Sequence, residues 1–440
     1  MTQEAKRALV ISIDGLDARY LLGGDREGLR IPTLRRLMTE GAWSLEVLAV
    51  YPSVTYPVHT TIATGALPAR HGIVGNELFI PLGAPQCGEW HWFARDIRAQ
   101  TLWDAAHGRG LKTGIVSWPV AGGAGDYNVP EIKQLNGSLR DTLALMMAHA
   151  RPPGIIQEVA ARDPRLYAQS NADEHDDLRT RFAEYLLTEK RPDLMLVHLF
   201  DLDHFQHDYG PFIAEAFRML EKLDGYVARL LQAAASVGTL AETAVFIVSD
   251  HGFKPINRLI HPGVVLAGAG LLTLNQSEAD APAGSGPRLC VTEWRALPSV
   301  TGGSCAIILR DASDHEAHER ALAAFSTAAA DGARGSAPFQ IIGGEEVRAL
   351  GADPGAAFAL EAADGYAFGQ NYTGEVVTPS IQLGQHGYLP SRYRTCFVAS
   401  GAGVERRGDL GEVNIIDVGP TIARTLGLTL RDADGKPLTI

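Results

Sequence analysis

Cysteine is scarce in this sequence. Four cysteines, Cys87, Cys290, Cys305 and Cys396, are spread over 440 residues, and no two of them have the CxxC spacing. A disulfide framework or a zinc knuckle needs closely spaced cysteines, so neither is indicated. The pattern favours reduced thiols in the core.

An excess of basic residues is also missing. The chain has 39 Lys and Arg against 51 Asp and Glu, which gives a formal net charge of −12. Proteins that bind the phosphate backbone of nucleic acids carry basic patches, so a nucleic-acid polymer is not an expected partner. The net charge does not bear on the binding of a small molecule. We expect a small-molecule substrate as the partner.

Long apolar runs are absent as well. No uninterrupted apolar stretch is long enough to cross a bilayer, and the apolar run near the N-terminus is cut at Asp14, so it lacks the core of a signal peptide. These features predict a cytoplasmic protein without membrane contact. Nothing in the sequence predicts the oligomeric state.

The sequence does contain a series of short β-branched, apolar runs separated by segments of helix length, which is the pattern of a parallel α/β sheet. The runs are ALVISID (8–14), KTGIVSWP (112–119), DLMLVHLFD (193–201), TAVFIVSD (243–250) and RTCFVAS (394–400). The segments 31–42 and 210–235 lie between such runs and are predicted helices, since they are amphipathic with apolar residues at three-to-four spacing.

The composition changes between about residues 254 and 384. Two stretches rich in Gly, Ala, Ser and Pro, 277–287 and 330–338, indicate exposed loops, and 305–330 has the pattern of a strand followed by a helix. We predict a main α/β core formed by residues 1–253 and 385–440. Residues 254–384 would form an inserted α+β subdomain that caps the site and sets substrate specificity.

Three predicted strands are followed by a carboxylate. Asp14 ends the first, Asp203 follows the third, and Asp250 ends the fourth; His207 and His251 lie close to the last two. Ligands of open parallel sheets gather beyond the carboxyl ends of the strands, and acids crowded there repel one another unless a cation lies between them. Carboxylate and imidazole together favour zinc or a related ion, so two such clusters point to a two-metal centre.

Six motifs then occur in a fixed order. They are IDG (13–15), PSVTYPVHTTIATG (52–65), HGIVGN (71–76), the DxxxHxxGP element (203–211), SDHG (249–252) and GxHGY (384–388). In order and rough spacing they resemble the nucleotide pyrophosphatase/phosphodiesterase branch of the alkaline phosphatase superfamily, outside the inserted region. The resemblance implies an alkaline-phosphatase-like fold, with a mostly parallel sheet flanked by helices.

The resemblance also implies the site residues. One metal ion would be held by Asp14, Thr55, Asp250 and His251, and a second by Asp203, His207 and His386. Thr55 would be the nucleophile, and Asn76 would donate a hydrogen bond to a phosphoryl oxygen. Two zinc ions are expected, with manganese as the alternative.

These roles are chemically consistent. A free threonine hydroxyl is a poor nucleophile, and coordination to a divalent ion stabilises its alkoxide. The expected reaction is hydrolysis of a phosphodiester through a phosphoryl-threonine intermediate. Two divalent ions are balanced by three carboxylates and the alkoxide, which suits a singly charged diester slightly better than a monoester. Arg70 is the nearest candidate for an additional cation, although a solvated loop charge is the simpler interpretation.

Alternatives remain open for the ligands and for the surrounding residues. On spacing alone, Asp201 with His204 could replace the pair Asp203 and His207, which is preferred because it keeps the family's distance to Gly-Pro at 210–211. The aromatic cluster 90–104 could line a pocket or pack in the core. Four further histidines are expected to serve structure or the surface, namely His59, His71, His198 and His261.

Two other functions also remain open. A phosphonoacetate hydrolase would share the metal set and the threonine nucleophile, but that family is expected to present lysines to the substrate carboxylate. Only Lys133 is available in the segment that follows SWP here. The second alternative is a catalytically inert zinc-binding protein, against which the complete ligand set argues.

Overall fold

The computed structural model describes residues 5–24, 28–82, 89–132, 139–163, 175–277, 288–331 and 337–440. Cys87, Lys133 and residues 278–287 and 332–336, most of the two stretches predicted as loops, lie outside these residues. The described cysteines Cys290, Cys305 and Cys396 are buried, and Cys305 and Cys396 are free thiols, as predicted for core cysteines. Within the described ranges, no helix is both long and apolar enough to cross a membrane.

The strands alternate with helices over most of the chain. The strands are β1 Arg7–Ile13, β2 Ala42–Leu48, β3 Thr113–Val116, β4 Tyr127–Val129, β5 Leu194–Leu199, β6 Thr243–Val248, β7 Lys254–Ile260, β8 Leu272–Ser277, β9 Arg288–Trp294, β10 Ala296–Thr301, β11 Ser304–Leu309, β12 Phe339–Gly343, β13 Ala356–Ala362, β14 Gly365–Phe368, β15 Val377–Pro379, β16 Gly384–Gln385, β17 Thr395–Gly401, β18 Gly408–Asp409 and β19 Glu412–Asn414.

The α-helices flank these strands. They are α1 Ala18–Gly23, α2 Pro32–Glu40, α3 Thr55–Thr64, α4 Pro68–His71, α5 Leu102–Gly108, α6 Leu139–His149, α7 Ile155–Arg162, α8 His175–Tyr185, α9 Asp201–Tyr209, α10 Ala214–Ser236, α11 Pro262–Gly268, α12 His315–Asp331, α13 Gly344–Ala349 and α14 Val418–Thr425. The two amphipathic segments predicted as helices are confirmed as α2 and α10. Helix α10 begins at Ala214 rather than at residue 210, because the chain turns through positive φ at Gly210 and Phe212.

The central sheet has the order β18-β2-β17-β6-β1-β5-β3-β4, with β19 beside β2. All five apolar runs form strands of this sheet, and the prediction of a mostly parallel sheet is confirmed. The run at 394–400 was expected to be parallel, but β17 runs antiparallel to both β2 and β6. The chain enters β17 at the edge where β1, β5 and β6 end, so it can only run back across the sheet.

Both faces of the central sheet are buried. On β1, Leu9, Ile11 and Ile13 pack into one core, while Ala8 and Val10 pack into the other. This burial on two faces explains why the strands read as continuous apolar runs. On the second face, the residues become polar towards the carboxyl end, where Ser12 and Asp14 continue the row of Ala8 and Val10.

Residues 254–393 contain further sheets beside the central one. Strands β10-β11-β13-β12 form an antiparallel sheet, β8 and β9 form a hairpin, and β7 pairs with β14, β15 and β16. The strand and helix predicted within 305–330 are confirmed as β11 and α12. A separate hydrophobic core lies in this part of the chain, with Phe325, Phe358 and Leu360 among its fully buried members. The division into a core and an inserted subdomain stays a prediction.

Candidate metal centre

The carboxyl edge of the central sheet collects the predicted ligands. Asp14 directly follows β1, and Asp250 follows the neighbouring strand β6 after one residue. Asp203 lies in the first turn of α9, which follows β5 on the other side of β1. His386 precedes the antiparallel strand β17, so the direction of β17 is what brings this histidine to the same edge.

A first group consists of Asp14, Asp250 and His251. Each of these residues offers a ligand atom within 4.8 Å of the others. His251 Nε2 lies 3.2 Å from Asp14 Oδ1 and 3.1 Å from Asp250 Oδ2. The hydroxyl of Thr55 lies 3.4 Å from the same nitrogen. The structure therefore brings together all four residues that the resemblance assigns to one metal ion.

A second group consists of Asp203, His386 and, again, His251. The Nε2 atoms of His207 and His386 each lie 3.6 Å from Asp203 Oδ1. Nδ1 of His207 donates to the carbonyl oxygen of Gly384 at 3.1 Å, which turns Nε2 towards Asp203. The rings of His251 and His386 are stacked, with centroids 3.7 Å apart. Both groups are thus contiguous, and His251 lies between them.

Burial makes the charges of this cluster costly. Desolvation, followed by the nearby carboxylate of Asp14, raises the pKa of Asp250 well above its usual value. Burial also lowers the pKa values of His251 and His386 well below the usual value, with neighbouring histidines adding to the effect. A divalent cation between these groups offsets the cost of burial for both residue types, because it favours ionised carboxylates and neutral imidazoles.

Two buried oxygen atoms support the same interpretation. Asp203 Oδ1 and Asp250 Oδ2 have no hydrogen-bond partner among the described residues, although buried polar atoms rarely lack one. Both atoms face imidazole nitrogens across 3.1–3.6 Å. Oxygen and nitrogen atoms in this arrangement are the donor set that zinc prefers. The residues present therefore fit two divalent metal ions.

Helix α3 positions the predicted nucleophile. Thr55 is the first residue of α3, and its side chain is 6% exposed. The preceding residue, Val54, cannot cap the helix with its side chain. Asn76 supplies the cap instead, since its Oδ1 accepts a hydrogen bond of 2.9 Å from the backbone N–H of Tyr56. This contact fixes the orientation of the amide and leaves the Asn76 Nδ2 group available to donate to a ligand.

The alternative pair Asp201 and His204 is placed differently. Asp201 Oδ2 accepts a hydrogen bond of 3.0 Å from the backbone N–H of Asp176 in α8. The His204 side chain is exposed and lies 3.9 Å from Asp208. Neither residue belongs to a metal-capable group within the described part of the chain. Asp203 does belong to such a group, and His207 Nε2 lies 3.6 Å from its Oδ1, so the structure favours Asp203 and His207.

His59 and His198, which were predicted to serve structure or the surface, contact the predicted metal ligands. Nδ1 of His59 donates to the carbonyl oxygen of Thr55 at 2.8 Å. Nε2 of His198 lies 3.0 Å from Asp14 Oδ2. A signal was present in the sequence, since His198 interrupts an otherwise apolar buried strand. In contrast, His71 and His261 contact Thr61 Oγ1 and Thr378 Oγ1, respectively.

A cavity of about 500 Å³ opens beside this edge. His207, His386 and Asn76 line one side of it, and the indole of Trp90 lines another. Other members of the aromatic cluster pack in hydrophobic cores, as Trp92 and Trp103 do. Arg70 does not line the cavity; its exposed guanidinium lies 2.9 Å from Asp434 Oδ1, as expected of a surface charge.

The fold and the site define an α/β protein with two adjacent metal-capable groups at the carboxyl edge of its central sheet. The chain belongs to the type I phosphodiesterase/nucleotide pyrophosphatase family, whose model matches residues 8–344. The resemblance seen in the six sequence motifs is thereby confirmed.

Curated relatives match a little more than half of the chain. Human ectonucleotide pyrophosphatase/phosphodiesterase family member 1 is 25% identical over 259 residues, which is 57% of this chain and 24% of that protein. An uncharacterized pyrophosphatase/phosphodiesterase of Schizosaccharomyces pombe is 26% identical over 264 residues, or 57% of this chain and 46% of the relative. The aligned region thus covers only about a quarter of the length of the human relative.

Solved structures share the fold over nearly the whole chain. Human ectonucleotide pyrophosphatase/phosphodiesterase 5 superposes with a TM-score of 0.64 at 18% identity, covering 98% of this chain and 97% of that one. The murine protein has been solved as an inactive threonine-to-alanine variant in complex with AMP. It superposes with a TM-score of 0.61 at 17% identity and the same coverage of both chains.

Proposed function

We propose that this chain hydrolyses phosphodiesters of small molecules, with Thr55 as the nucleophile and two divalent metal ions bound beside it. Zinc is the expected metal, and manganese is the alternative. The observation that carries the proposal is the convergence of the Thr55 hydroxyl with both metal-capable groups at one edge of the sheet. Asp14, Thr55, Asp250 and His251 would hold one ion, and Asp203, His207 and His386 the other.

The two ions, when bound, supply Lewis acidity that favours ionisation of the Thr55 hydroxyl and stabilises negative charge on the leaving oxygen. The side chains of the protein hold the substrate and the nucleophile in place. Thr55 Oγ1 lies at the positive end of the α3 peptide dipoles, which also favours an anionic oxygen there. The Nδ2 group of Asn76 donates to a phosphoryl oxygen as charge develops in the transition state.

The reaction proceeds in two displacements. In the first, the Thr55 hydroxyl gives its proton to solvent, the bond from Oγ1 to phosphorus forms as the bond to the leaving oxygen breaks, and the leaving oxygen takes a proton from solvent. In the second, the oxygen of water bonds to phosphorus as the bond to Thr55 breaks, and a proton of that water passes to Thr55 Oγ1. The products are an alcohol and a phosphomonoester, and the threonine hydroxyl is restored.

The cavity supports a small-molecule ester as substrate, and a nucleotide is the first candidate because a solved relative is in complex with AMP. Asn76 and His207 reach the cavity from the proposed catalytic core. Leu297, Phe368 and Tyr372 reach it from residues 254–384, and this supports our proposal that these residues form a cap that sets specificity.

The charge of the cavity disfavours phosphonoacetate as the substrate. Among the described residues that line it, none is lysine or arginine, whereas Glu77 and Glu89 are acidic. A substrate carboxylate would therefore meet no cation from these residues. Lys133, the lysine that the sequence offers for this task, lies outside the described residues.

The proposal is tested by rates on four substrate classes, namely a phosphodiester such as bis-p-nitrophenyl phosphate, a phosphomonoester, a sulfate ester and phosphonoacetate. We expect the diester to be hydrolysed fastest, with activity lost on chelation and restored by zinc. Thr55→Ala should abolish turnover and keep both metal ions. Thr60→Ala is the matched control, because Thr60 is buried in the same helix and its hydroxyl has no hydrogen-bond partner among the described residues.

Three outcomes would contradict the proposal. Normal turnover by Thr55→Ala would remove the covalent mechanism. A fastest rate on phosphonoacetate would establish the rival activity. A metal content of two zinc ions per chain without hydrolysis of any of the four substrates would identify an inert zinc-binding protein.

A further inference from the structure

A buried histidine lies directly behind Asp14. His198 is on β5, in register with Ser12 of β1. Alternate residues of a strand share a face, so Ser12 and Asp14 point to the side of the sheet on which His198 also lies. The residues before His198 on that face, Leu194 and Leu196, belong to a hydrophobic core. An imidazole that is 1% exposed at such a position is stable only when its nitrogens have partners.

Both ring nitrogens of His198 face oxygen atoms. Nε2 lies 3.0 Å from Asp14 Oδ2. Nδ1 lies 3.0 Å from the carbonyl oxygen of Ser117 and 3.0 Å from Glu131 Oε2. An ionised Asp14 can only accept, so Nε2 donates to it, while Glu131 and the Ser117 carbonyl hold the ring at Nδ1. The Tyr56 hydroxyl, next to the nucleophile, donates to Glu131 Oε1 at 3.3 Å.

The two oxygens of Asp14 therefore have different surroundings. Oδ1 lies 3.2 Å from His251 Nε2, on the side of the first metal group. Oδ2 lies against His198 on the opposite side. With one oxygen held by a hydrogen bond, the carboxylate cannot rotate, and the other oxygen stays directed at the ligand position. A donor behind a metal ligand typically fixes the ligand in this way.

We propose that His198, itself held by Glu131, positions Asp14 as a metal ligand; this inference rests on the metal centre proposed above. The arrangement is a buried series of Glu131, His198 and Asp14 that ends at the proposed metal position.

Three variants test the proposal. His198→Phe keeps a planar ring but removes the nitrogen that holds Asp14, and Glu131→Gln keeps the imidazole but replaces the carboxylate beside Nδ1 with a neutral amide. His71→Phe is the matched control, because His71 is equally buried and hydrogen-bonded to Thr61 Oγ1 and the backbone N–H of Ile73, but touches no proposed ligand. Zinc affinity is measured for the whole chain by competition with a chromophoric chelator, and thermal unfolding of the metal-free protein is followed in parallel.

We expect one of the two zinc affinities to fall by about 10–100-fold in His198→Phe, the usual effect of removing such a partner. Glu131→Gln should weaken the same site and leave the second ion bound. His71→Phe should lower thermal stability and keep both affinities. Should His198→Phe fail to fold, Glu131→Gln decides the question alone. Wild-type zinc affinity in a folded His198 variant, or in Glu131→Gln when the His198 variant does not fold, would overturn the proposal.

The outcome is separable from failure of the proposed function. If the wild-type chain binds no zinc, the metal centre is wrong and the role of His198 falls with it. If the wild-type chain binds two zinc ions and the variants bind them equally well, only the role of His198 is wrong. A uniform loss of both affinities, parallel to the loss in thermal stability, would likewise overturn it, because that pattern indicates a purely structural role.

Discussion

We assign Asn76 two tasks that mutagenesis can separate. Its Oδ1 accepts from the backbone N–H of Tyr56 in the first turn of α3, where Val54 offers no side-chain cap. The residue also lines the cavity beside the metal-capable groups. The first task stabilises the helix that carries Thr55, and the second would stabilise the transition state. Asn76→Ala should remove both tasks, and Asn76→Asp should remove only the second.

The expected magnitudes follow from these contacts. Loss of a helix cap costs about 1 kcal/mol, and for a chain of this size that lowers the melting temperature by about 2 °C or less. Loss of a donor to the developing oxyanion costs about 3 kcal/mol, or roughly 10²–10³-fold in kcat. Asn76→Ala should show both effects. Asn76→Asp keeps an oxygen for the Tyr56 N–H but loses the donor, so it should retain stability and lose at least as much activity.

The assay pairs diester hydrolysis with thermal unfolding of the same preparations. The difference between the two variants carries the argument, because each serves as the other's control. Hydrolysis by Asn76→Asp at the wild-type rate would refute the donor role. An unchanged melting temperature in Asn76→Ala would refute the capping role.

Three further predictions concern metal and pH. Removal of metal by chelation should lower the melting temperature, because it leaves Asp14 and Asp250 crowded without a cation; an equal melting temperature in the apo form would contradict this. Activity and bound zinc should fall together on acidification, since the ligand histidines must be neutral. Because burial lowers the pKa values of His251 and His386, their neutral form persists below the usual imidazole pKa of about 6.5, and the fall should come at a lower pH than that; activity that is retained after the zinc has been lost on acidification would contradict the ligand assignment. Burial raises the pKa of Glu361 to about 7, so its ionisation should destabilise the fold as pH rises from about 4.5 through 7; Glu361→Gln should abolish that part of the pH dependence of the melting temperature, and an unchanged dependence would contradict it.

Much of the fold could be predicted because strand signals are local. Each apolar run is a property of a few neighbouring residues, and all five became strands of the central sheet. The direction of β17 could not be predicted in this way. It depends on where the chain leaves residues 254–384, and that is a matter of tertiary packing.

The residues of the site also divide into those that local sequence signals reveal and those that depend on tertiary packing. Asp14, Asp250 and His251 could be proposed because they stand at or next to strand ends, and the motif order supplied Thr55 and Asn76. The contact between His198 and Asp14 spans 184 residues and depends on the β1–β5 register, which no spacing along the chain reveals. The capping of α3 by Asn76 was missed for the same reason.

The direction of β17 has a practical consequence for building hybrids with relatives. His386 lies in the segment that connects residues 254–384 to strand β17 of the central sheet. A graft that exchanges this segment for that of another family member should therefore end before β16 at Gly384–Gln385 and spare His386. Joined there, the recipient would keep its own His386 as a proposed metal ligand and, by the proposed role of residues 254–384, would acquire the selectivity of the other protein. Joined a few residues later, it would receive a histidine whose position was set by a different β17.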